Sequence, residues 1–566
     1  MKKIYALVFS VLCLTVSSCS FLDMEPEVIT DGTYYNSESE VLYGLAGVYG
    51  VLNNEPFYGN YFSLMLSNTD DLCYYNRPTA NNYSVWYRHD ASSQEVYEAW
   101  TEIYQGIGNA NSFLEAVADS EFDEDHKYYN EARFLRAYYY FILAQAWGDV
   151  PLRTTAATSP EDVDCPATSQ LKVLQWVASE MENCVDLASE TLENAPSRIT
   201  RTTVWGILAR VYLFMAGETV SGNGDLRHEY FGKAMQYAKK VIDSGLHRLN
   251  PSYQQIFINM ISDIYDTEYR ESMWEADFLG NRSSSDNWSN GRIGDLMGLQ
   301  SSPDVGTYDE VNCNYAYGQY NGSLKLWNLY WHEDRTDDET DLSTVTDARQ
   351  EWNMCPYNYN GGNFAPYGQS EGTCRPGIDK TPYRHNSVST TVNPVTAKAI
   401  RNSSKYRRET IYEGVKGDRG TYTPINYPIL RYSDVLLMYA EAYNEYNGAP
   451  SQEAFGYVKA VRDRAGISTR DYSEYSSQEA FRQLVRNERG RELCFESLRK
   501  YDLIRWGIFV DAMKGYLTDT QSTEWVGTTA SVAANTASAV QERHIVLPIP
   551  TIELGVNGAL VQNPLW

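Results

Sequence analysis

The sequence predicts a mostly α-helical protein in which a scaffold of helical hairpins carries a loop-rich lobe with short strands. Apolar residues recur with helical spacing towards both ends of the chain, and that spacing disappears between residues 263 and 427. The chain has 566 residues, which is too long for one compact core. We therefore expect two lobes, or a repeat array with a large insertion.

Helical periodicity is clearest where apolar side chains return every three or four residues. Ala209 and Tyr212 in one segment have the same spacing as Ala234 and Tyr237 in the next. This arrangement is similar to that of tetratricopeptide helical hairpins. Gly466 is expected to end a helix in the left-handed conformation. The predicted helices are 38–53, 96–119, 127–147, 168–187, 202–216, 229–244, 433–446, 452–465 and 478–499.

Two carboxylates lie four residues apart on a helix face that also carries apolar side chains. Glu488 and Glu492 share that face with Phe481 and Leu484, and a carboxylate pair is what glycoside hydrolysis requires. Because burying unpaired carboxylates is costly, we interpret the pair as part of an internal ion network and expect no catalytic residue. The nearby arginines that offer partners are Arg489, Arg491, Arg499 and Arg505.

Six segments carry a family resemblance: "EARFLRAYYYFILAQAWGDVPL" (131–152), "RTTVWGILARVYLFMAG" (201–217), "PILRYSDVLLMYAEAYN" (428–444), "VRDRAG" (461–466), "NERGRELCFESLRKYDLIRW" (487–506) and "LPIPTIELGVNGALVQNPLW" (547–566). Together they resemble the SusD/RagB-like family of bacterial outer-membrane nutrient-uptake lipoproteins. The resemblance implies a SusD-like superhelix of four helix pairs with a second lobe packed over it. It also implies a partner, a SusC-type TonB-dependent outer-membrane transporter.

The amino terminus has the layout of a secretory signal peptide. Lys2 and Lys3 precede an apolar run at 4–16, which is too short to span a bilayer. Val16-Ser17-Ser18-Cys19 resembles a bacterial lipobox, so we expect lipid on Cys19 and anchoring at the cell surface by its acyl chains. A cleaved signal peptide with an incidental Cys19 is the alternative. The predicted organisation is a signal peptide at 1–18, a lipidated tether at 19–30, helical regions at 31–262 and 428–566, and an irregular aromatic-rich region at 263–427.

Composition argues against several classes of function. The net charge is −27, so nucleic acid and anionic lipid are poor partners. The seven histidines form no H-E-x-x-H motif, and no phosphate-binding glycine loop is present, so we expect no catalytic metal and no cofactor. Nine cysteines without a C-x-x-C motif argue against a disulfide framework. An acidic run with Asp337, Asp338 and Asp341 is a candidate Ca²⁺ site, although such runs are usually solvated loops.

Aromatic side chains with a polar edge point to the ligand. The chain has 46 Tyr and 13 Trp against 17 Phe. Tyr and Trp rings suit the apolar face of a sugar ring, while amides and guanidinium groups suit its hydroxyls. Two irregular stretches contain both kinds of side chain. We predict a glycan site from Tyr74, Tyr75, Asn76, Arg77, Asn82, Trp86 and Tyr87 in the first, and from Trp274, Trp288, Tyr320, Trp327 and Trp331 in the second, which also holds Tyr315 and Tyr317.

These features predict a cell-surface glycan-binding lipoprotein that captures oligosaccharide or polysaccharide, delivers it to the transporter and breaks no bond. A peptide-capturing member of the same family is one alternative. A surface glycoside hydrolase is the other, and it would need two carboxylates about 5–10 Å apart at an accessible site.

Overall fold

Helices make up most of the described chain, and its strands are short, as the sequence predicts. The computed structural model describes residues 35–77, 83–157, 159, 163–184, 196–222, 224–278, 291–301, 313–331, 347–355, 357–359, 381–382, 401–412, 421–521 and 528–566. The predicted signal peptide and tether lie outside these residues. Among the described residues, no helix is both long enough and apolar enough to cross a bilayer.

The helices follow the periodic segments of the sequence. The first part of the chain forms α1 (Glu38–Tyr49), α2 (Gln94–Val117), α3 (Lys127–Trp147), α4 (Gln170–Cys184), α5 (Arg201–Met215), α6 (Glu218–Ser221), α7 (Asp225–Asp243) and α8 (Tyr253–Ile261). The irregular region contributes α9 (Ile293–Leu296), α10 (Leu324–Trp331) and α11 (Ala348–Asn353). The last part forms α12 (Tyr432–Asn447), α13 (Gln452–Arg464), α14 (Gln478–Leu493), α15 (Arg499–Arg505), α16 (Phe509–Asp519), α17 (Thr528–Ala539) and α18 (Thr551–Val556).

Local sequence explains several helix ends. Ser451 and Ser477 cap α13 and α14, each accepting a hydrogen bond from the backbone N–H three residues further on. Gly466 follows α13 with φ +80°, which confirms the predicted left-handed ending. The predicted helix 127–147 has the same bounds as α3.

The prediction of one helix over 478–499 is wrong. The helix ends at Leu493 because Cys494 is extended, with ψ 147°. Phe495 and Ser497 then adopt positive φ angles of 63° and 57°, and α15 starts at Arg499. This turn separates Glu496 from the face of Glu488 and Glu492 and lets it pair with Arg431.

Helices that follow one another in the chain pack against each other along the scaffold. Contacts run from α1 to α2, α2 to α3, α3 to α4, α4 to α5 and α5 to α7. Helix α7 then packs against α12, which contacts α13 and α14, so the two helical regions form one scaffold. Large buried aromatic side chains fill the interfaces, including Tyr138, Tyr139 and Trp147 of α3.

The described strands form short antiparallel pairs, two of which connect the irregular region to the rest of the fold. The strands are β1 (Cys73–Tyr75), β2 (Val150–Pro151), β3 (Ala167–Thr168), β4 (Ser272–Ala276), β5 (Tyr320–Gly322), β6 (Tyr357–Asn358), β7 (Thr381–Pro382) and β8 (Tyr427–Arg431), paired as β1–β5, β2–β3, β4–β8 and β6–β7. The β4–β8 pair joins the two ends of the irregular region. The β1–β5 pair joins its middle to the loop that follows α1.

Candidate functional site

The two aromatic stretches meet through one strand pair. Strand β1 pairs with β5 so that Tyr75 lies opposite Tyr320 and Tyr74 lies opposite Asn321. The pairing continues past Tyr75, because the backbone N–H of Asn76 donates to the carbonyl of Gln319 at 2.8 Å. Stretches about 240 residues apart in sequence therefore share one surface.

Six of the aromatic residues predicted to contact glycan are buried, which corrects that part of the prediction. They lie inside the hydrophobic core and present no ring face to a ligand: Tyr74, Tyr75, Tyr87, Trp274, Tyr320 and Trp327. The Tyr320 hydroxyl donates to the carbonyl of Leu64, and the Tyr87 hydroxyl donates to the carbonyl of Thr69. These rings pack the core because they are the largest apolar groups available, and the hydroxyls of Tyr320 and Tyr87 find backbone partners there.

The other predicted residues are partly exposed or fall outside the described residues. Asn76, Arg77 and Trp86 are partly exposed, and the guanidinium of Arg88 lies 5.7 Å from the Trp86 ring centre. Asn82, Trp288 and Cys19 lie outside the described residues, as does the side chain of Trp331. The candidate Ca²⁺ ligands Asp337, Asp338 and Asp341 also lie outside them.

A small surface at the β1–β5 junction combines aromatic and polar side chains. We name it the tyrosine ledge and define it as Asn76, Arg77, Tyr315, Tyr317 and Gln319. The rings of Tyr315 and Tyr317 lie 5.1 Å apart at 74°, and Tyr317 is 40% exposed. The Arg77 guanidinium donates to the carbonyl of Tyr317 at 3.1 Å, and the Asn76 amide donates to the carbonyl of Gly318 at 2.9 Å.

Alternation along residues 315–320 explains which side chains reach the surface. Tyr315 and Gln319 are partly exposed and Tyr317 is exposed, whereas Ala316, Gly318 and Tyr320 are buried. This is the two-residue period of an extended segment with one buried face. Gln319 lies outside the predicted site, yet this pattern identifies it once one residue of the segment is known to face inwards.

The buried carboxylate of Asp295, paired with the partly exposed Arg292, supports the backbone of the ledge. Asp295 accepts from the backbone N–H of Tyr317 at 3.0 Å, and its other oxygen pairs with Arg292 at 2.5 Å. Burial raises the pKa of Asp295, while Arg292 acts in the opposite direction. Burial also raises the pKa of Tyr315, so its phenol stays neutral at physiological pH. The Tyr315 ring is therefore a neutral platform, and the backbone at Tyr317 is held in place by Asp295.

The carboxylates of Glu488 and Glu492 form a buried ion network, which confirms that interpretation. All four of their oxygens accept from guanidinium groups. The predicted partners are wrong except for Arg491, which pairs with Glu488 at 2.8 Å. The remaining partners are Arg349 and Arg462 for Glu488, and Arg349, Arg431 and Arg464 for Glu492.

The partners differ from the prediction because three of the four predicted arginines pair with carboxylates on other segments of the chain. Arg489 pairs with Asp434 and Asp502, Arg499 with Asp71, and Arg505 with Glu441 and Asp502. Arg349 reaches the network from the irregular region, whose distance in sequence hides the contact.

The pKa values of the two glutamates are displaced in opposite directions. Burial raises the pKa of Glu488, and its arginines do not reverse that effect. Burial also acts on Glu492, but Arg464, Arg431 and Arg349 outweigh it and hold the pKa well below its usual range. Divergent pKa values are typical of an acid and base pair in an active site. Here both side chains are fully buried and saturated by arginine, so the divergence is structural.

Metal ligation finds no support in the described part of the chain. No group of three or more His, Cys, Asp or Glu side chains there is placed to hold a metal ion. Cys73, Cys165, Cys184, Cys313, Cys355 and Cys494 are free thiols.

Comparison with known proteins identifies the family. A model described as the SusD family matches residues 270–566, and a model described as starch-binding associating with outer membrane matches residues 20–213. SusD-like protein P25 of Formosa agariphila is 25% identical over 100% of this chain and 98% of its own length. The starch-binding protein SusD of Bacteroides thetaiotaomicron is 22% identical over 83% of this chain and 79% of its own length.

The fold agrees with this assignment. The crystal structure of a SusD homolog from Bacteroides thetaiotaomicron superposes with a TM-score of 0.80 at 24% identity, covering 95% of this chain and 98% of that one. The matching family model covers more than half of the chain, and the superposition covers most of its length. The chain belongs to the SusD family.

Proposed function

We propose that this protein is a cell-surface lipoprotein that binds glycan on the tyrosine ledge and passes it to a SusC-type TonB-dependent transporter without breaking a bond. The observation that carries the proposal is the exposed ring pair of Tyr315 and Tyr317 beside the Asn76, Arg77 and Gln319 side chains. A sugar ring stacks its C–H face on such a platform and hydrogen-bonds its hydroxyls to the surrounding polar groups.

The ledge is open, so binding is expected to be weak, with a Kd of about 1 μM to 1 mM. Tyr317 is 40% exposed. Covering that fraction of a ring side chain removes roughly 80 Å² from water, which corresponds to about 2 kcal/mol at about 25 cal/mol per Å². Loss of the Tyr317 ring should therefore weaken binding about thirty-fold.

Native affinity electrophoresis through gels that contain plant, host and microbial polysaccharides tests the proposal. The protein is the mature chain carrying Cys19→Ser, which prevents lipid attachment. We expect one polymer to retard it and Tyr317→Ala to abolish the retardation. Tyr43→Ala is the matched control, because Tyr43 is 66% exposed but lies on α1, outside the ledge.

Three results separate the alternatives. Retardation that survives Tyr317→Ala removes the ledge from the proposal. No retardation by any polymer, combined with binding to a peptide panel, would replace glycan with peptide. Release of oligosaccharide from a retarding polymer would establish a hydrolase and contradict the non-catalytic role.

The anchor and the partner have their own tests. Replacement of Cys19 by Ser should move the native chain from the membrane fraction to the soluble fraction in cells, since the acyl chains would have no sulfur to join. Affinity purification of the native lipoprotein from detergent-solubilised outer membranes should recover a TonB-dependent transporter. Recovery of the lipoprotein without any such transporter would contradict the delivery step.

A further inference from the structure

A cavity lined by none of the ledge residues lies between α2, the segment after β2, and α18. Its volume is about 400 Å³. Small-ligand sites usually have about 300–1,000 Å³, so the cavity is large enough for a small ligand. We name it the α2 groove; Trp100, Tyr104 and Gly108 form its α2 wall, Arg153 and Val163 lie opposite, and Glu553 lies at the α18 side.

Gly108 lies on the wall of the groove and faces open space. A Cβ atom at this position would meet nothing within 4 Å, so packing does not require a glycine here. Gly106, two residues earlier, differs because its Cβ would lie 2.8 Å from the Tyr139 ring. A glycine inside a helix costs about 1 kcal/mol relative to alanine. A methyl group at position 108 therefore fits in open space, whereas a much larger side chain there would occupy the groove.

The Tyr104 ring on the α2 wall of the groove is already in a fixed position, and the buried Trp100 packs against it. The rings of Trp100 and Tyr104 lie 4.9 Å apart. The Tyr104 hydroxyl donates to the carbonyl of Pro151 at 2.8 Å, and this bond orients the half-buried ring. A ring held in this way offers an apolar face without an additional ordering cost on binding.

Charged groups of opposite sign also line the groove. The carboxylate of Glu553 is partly exposed, and it accepts no hydrogen bond from any described residue. The Arg153 guanidinium lies across the groove and donates to the carbonyl of Val163. One acceptor, one cation and an aromatic face suit an uncharged ring with hydroxyl groups better than an ion, because a charged ligand would meet a like charge on one side.

We propose that the α2 groove is a second binding site, which takes one or two neutral sugar rings independently of the tyrosine ledge. Tyr104 supplies the stacking face, and Glu553 accepts from the sugar hydroxyls. The two sites share no residue, so each can be removed separately. This site would hold short saccharides, whereas the open ledge suits polymers.

Saturation-transfer NMR with the mature Cys19→Ser chain tests the second site. The probes are the methyl glycosides of glucose, galactose, mannose and xylose, together with maltose, cellobiose and laminaribiose. At least one probe should bind the parent chain and the Tyr317→Ala variant equally. Gly108→Phe fills the groove and should lower the affinity for that probe about ten-fold or more. Gly108→Ala is the matched control and should bind the probe like the parent chain.

Glu553→Gln provides a variant that keeps the shape of the groove. This change should weaken binding of the same probe, because an amide replaces one charged acceptor. Thermal unfolding should show that both Glu553→Gln and Gly108→Phe remain folded. The proposal is overturned if no probe binds the parent chain, or if binding survives both Gly108→Phe and Glu553→Gln. If only Tyr317→Ala abolished binding of the probe, the short saccharides would bind at the ledge and the proposal would be overturned. Failure of polymer binding at the ledge leaves these results unaffected.

Discussion

Arg349 joins the irregular region to the helical scaffold, and its replacement by methionine tests the energetics of that junction. Its guanidinium is fully buried and pairs with Asp347 at 2.9 Å, with Glu488 at 2.6 Å and with Glu492 at 3.0 Å. Methionine approximates the length of the side chain but carries no charge. The change therefore removes one cation from a group of three buried carboxylates.

The three carboxylates keep different numbers of cationic partners after this change. Glu488 keeps Arg462 and Arg491. Glu492 keeps Arg431 and Arg464. Among the described residues, Asp347 has no other cation and keeps only the backbone N–H of residue 349.

Arg349→Met should therefore lower the free energy of unfolding by about 3–5 kcal/mol, the cost of one uncompensated buried charge. The double variant Arg349→Met/Asp347→Asn removes both charges of the pair. It should recover about half of the loss or more, because no carboxylate is then left without a partner.

Urea unfolding at pH 7, followed by tryptophan fluorescence, measures these changes as shifts in the midpoint at constant slope. Arg470→Met is the matched control, because its ion pair with Glu474 is about half exposed and should contribute less than about 1 kcal/mol. A loss below 1 kcal/mol for Arg349→Met, or a double variant as unstable as the single one, would refute the charge argument.

Three further predictions concern the scaffold and the assignment of the site. Gly106→Ala should destabilise the fold by about 1–3 kcal/mol, because its Cβ would lie 2.8 Å from the Tyr139 ring. Gly47→Ala is the control and should stabilise α1, because its Cβ would meet open space. Equal effects of the two changes on thermal unfolding would contradict this reasoning. Burial lowers the pKa of His544 to about 3, so its stabilising contribution is complete above about pH 6.5 and is lost as the pH falls towards 3. Between pH 6.5 and 4.5 this contribution should fall by about 2–3 kcal/mol, and His544→Gln but not the exposed His228→Gln should flatten the slope of stability against pH. Trp327→Ala should lower the free energy of unfolding by about 3–5 kcal/mol and leave glycan affinity unchanged, since its ring is buried. Lower affinity at normal stability would show that Trp327 contributes to glycan binding.

Helical periodicity was sufficient for the scaffold because the information is local. A buried helix face repeats every three or four residues, and the segment 127–147 shows this pattern with bounds that match α3. The helix over 478–499 was overextended because residues 494–497 are also compatible with helix. Their break depends on Glu496 turning towards Arg431, a contact across 65 residues that periodicity does not encode.

The candidate site was only partly predictable for a related reason. Composition selected stretches rich in Tyr and Trp, but it does not distinguish a ring that packs the core from one that faces water. Tyr317 and Tyr320 come from the same stretch, yet one is exposed and the other is buried. Their difference follows from strand alternation, which could be assigned a direction only after the pairing of β5 with β1 was known.

The sequence by itself therefore determined the helical class, the family resemblance and the structural role of Glu488 and Glu492. These follow from local periodicity, from short motifs and from the cost of burying unpaired charge. Only the tertiary structure decided which aromatic rings reach the surface, which arginines neutralise the glutamates and where cavities remain. Those properties depend on contacts between segments far apart in the chain, and the geometry of such contacts is set by how the whole core packs.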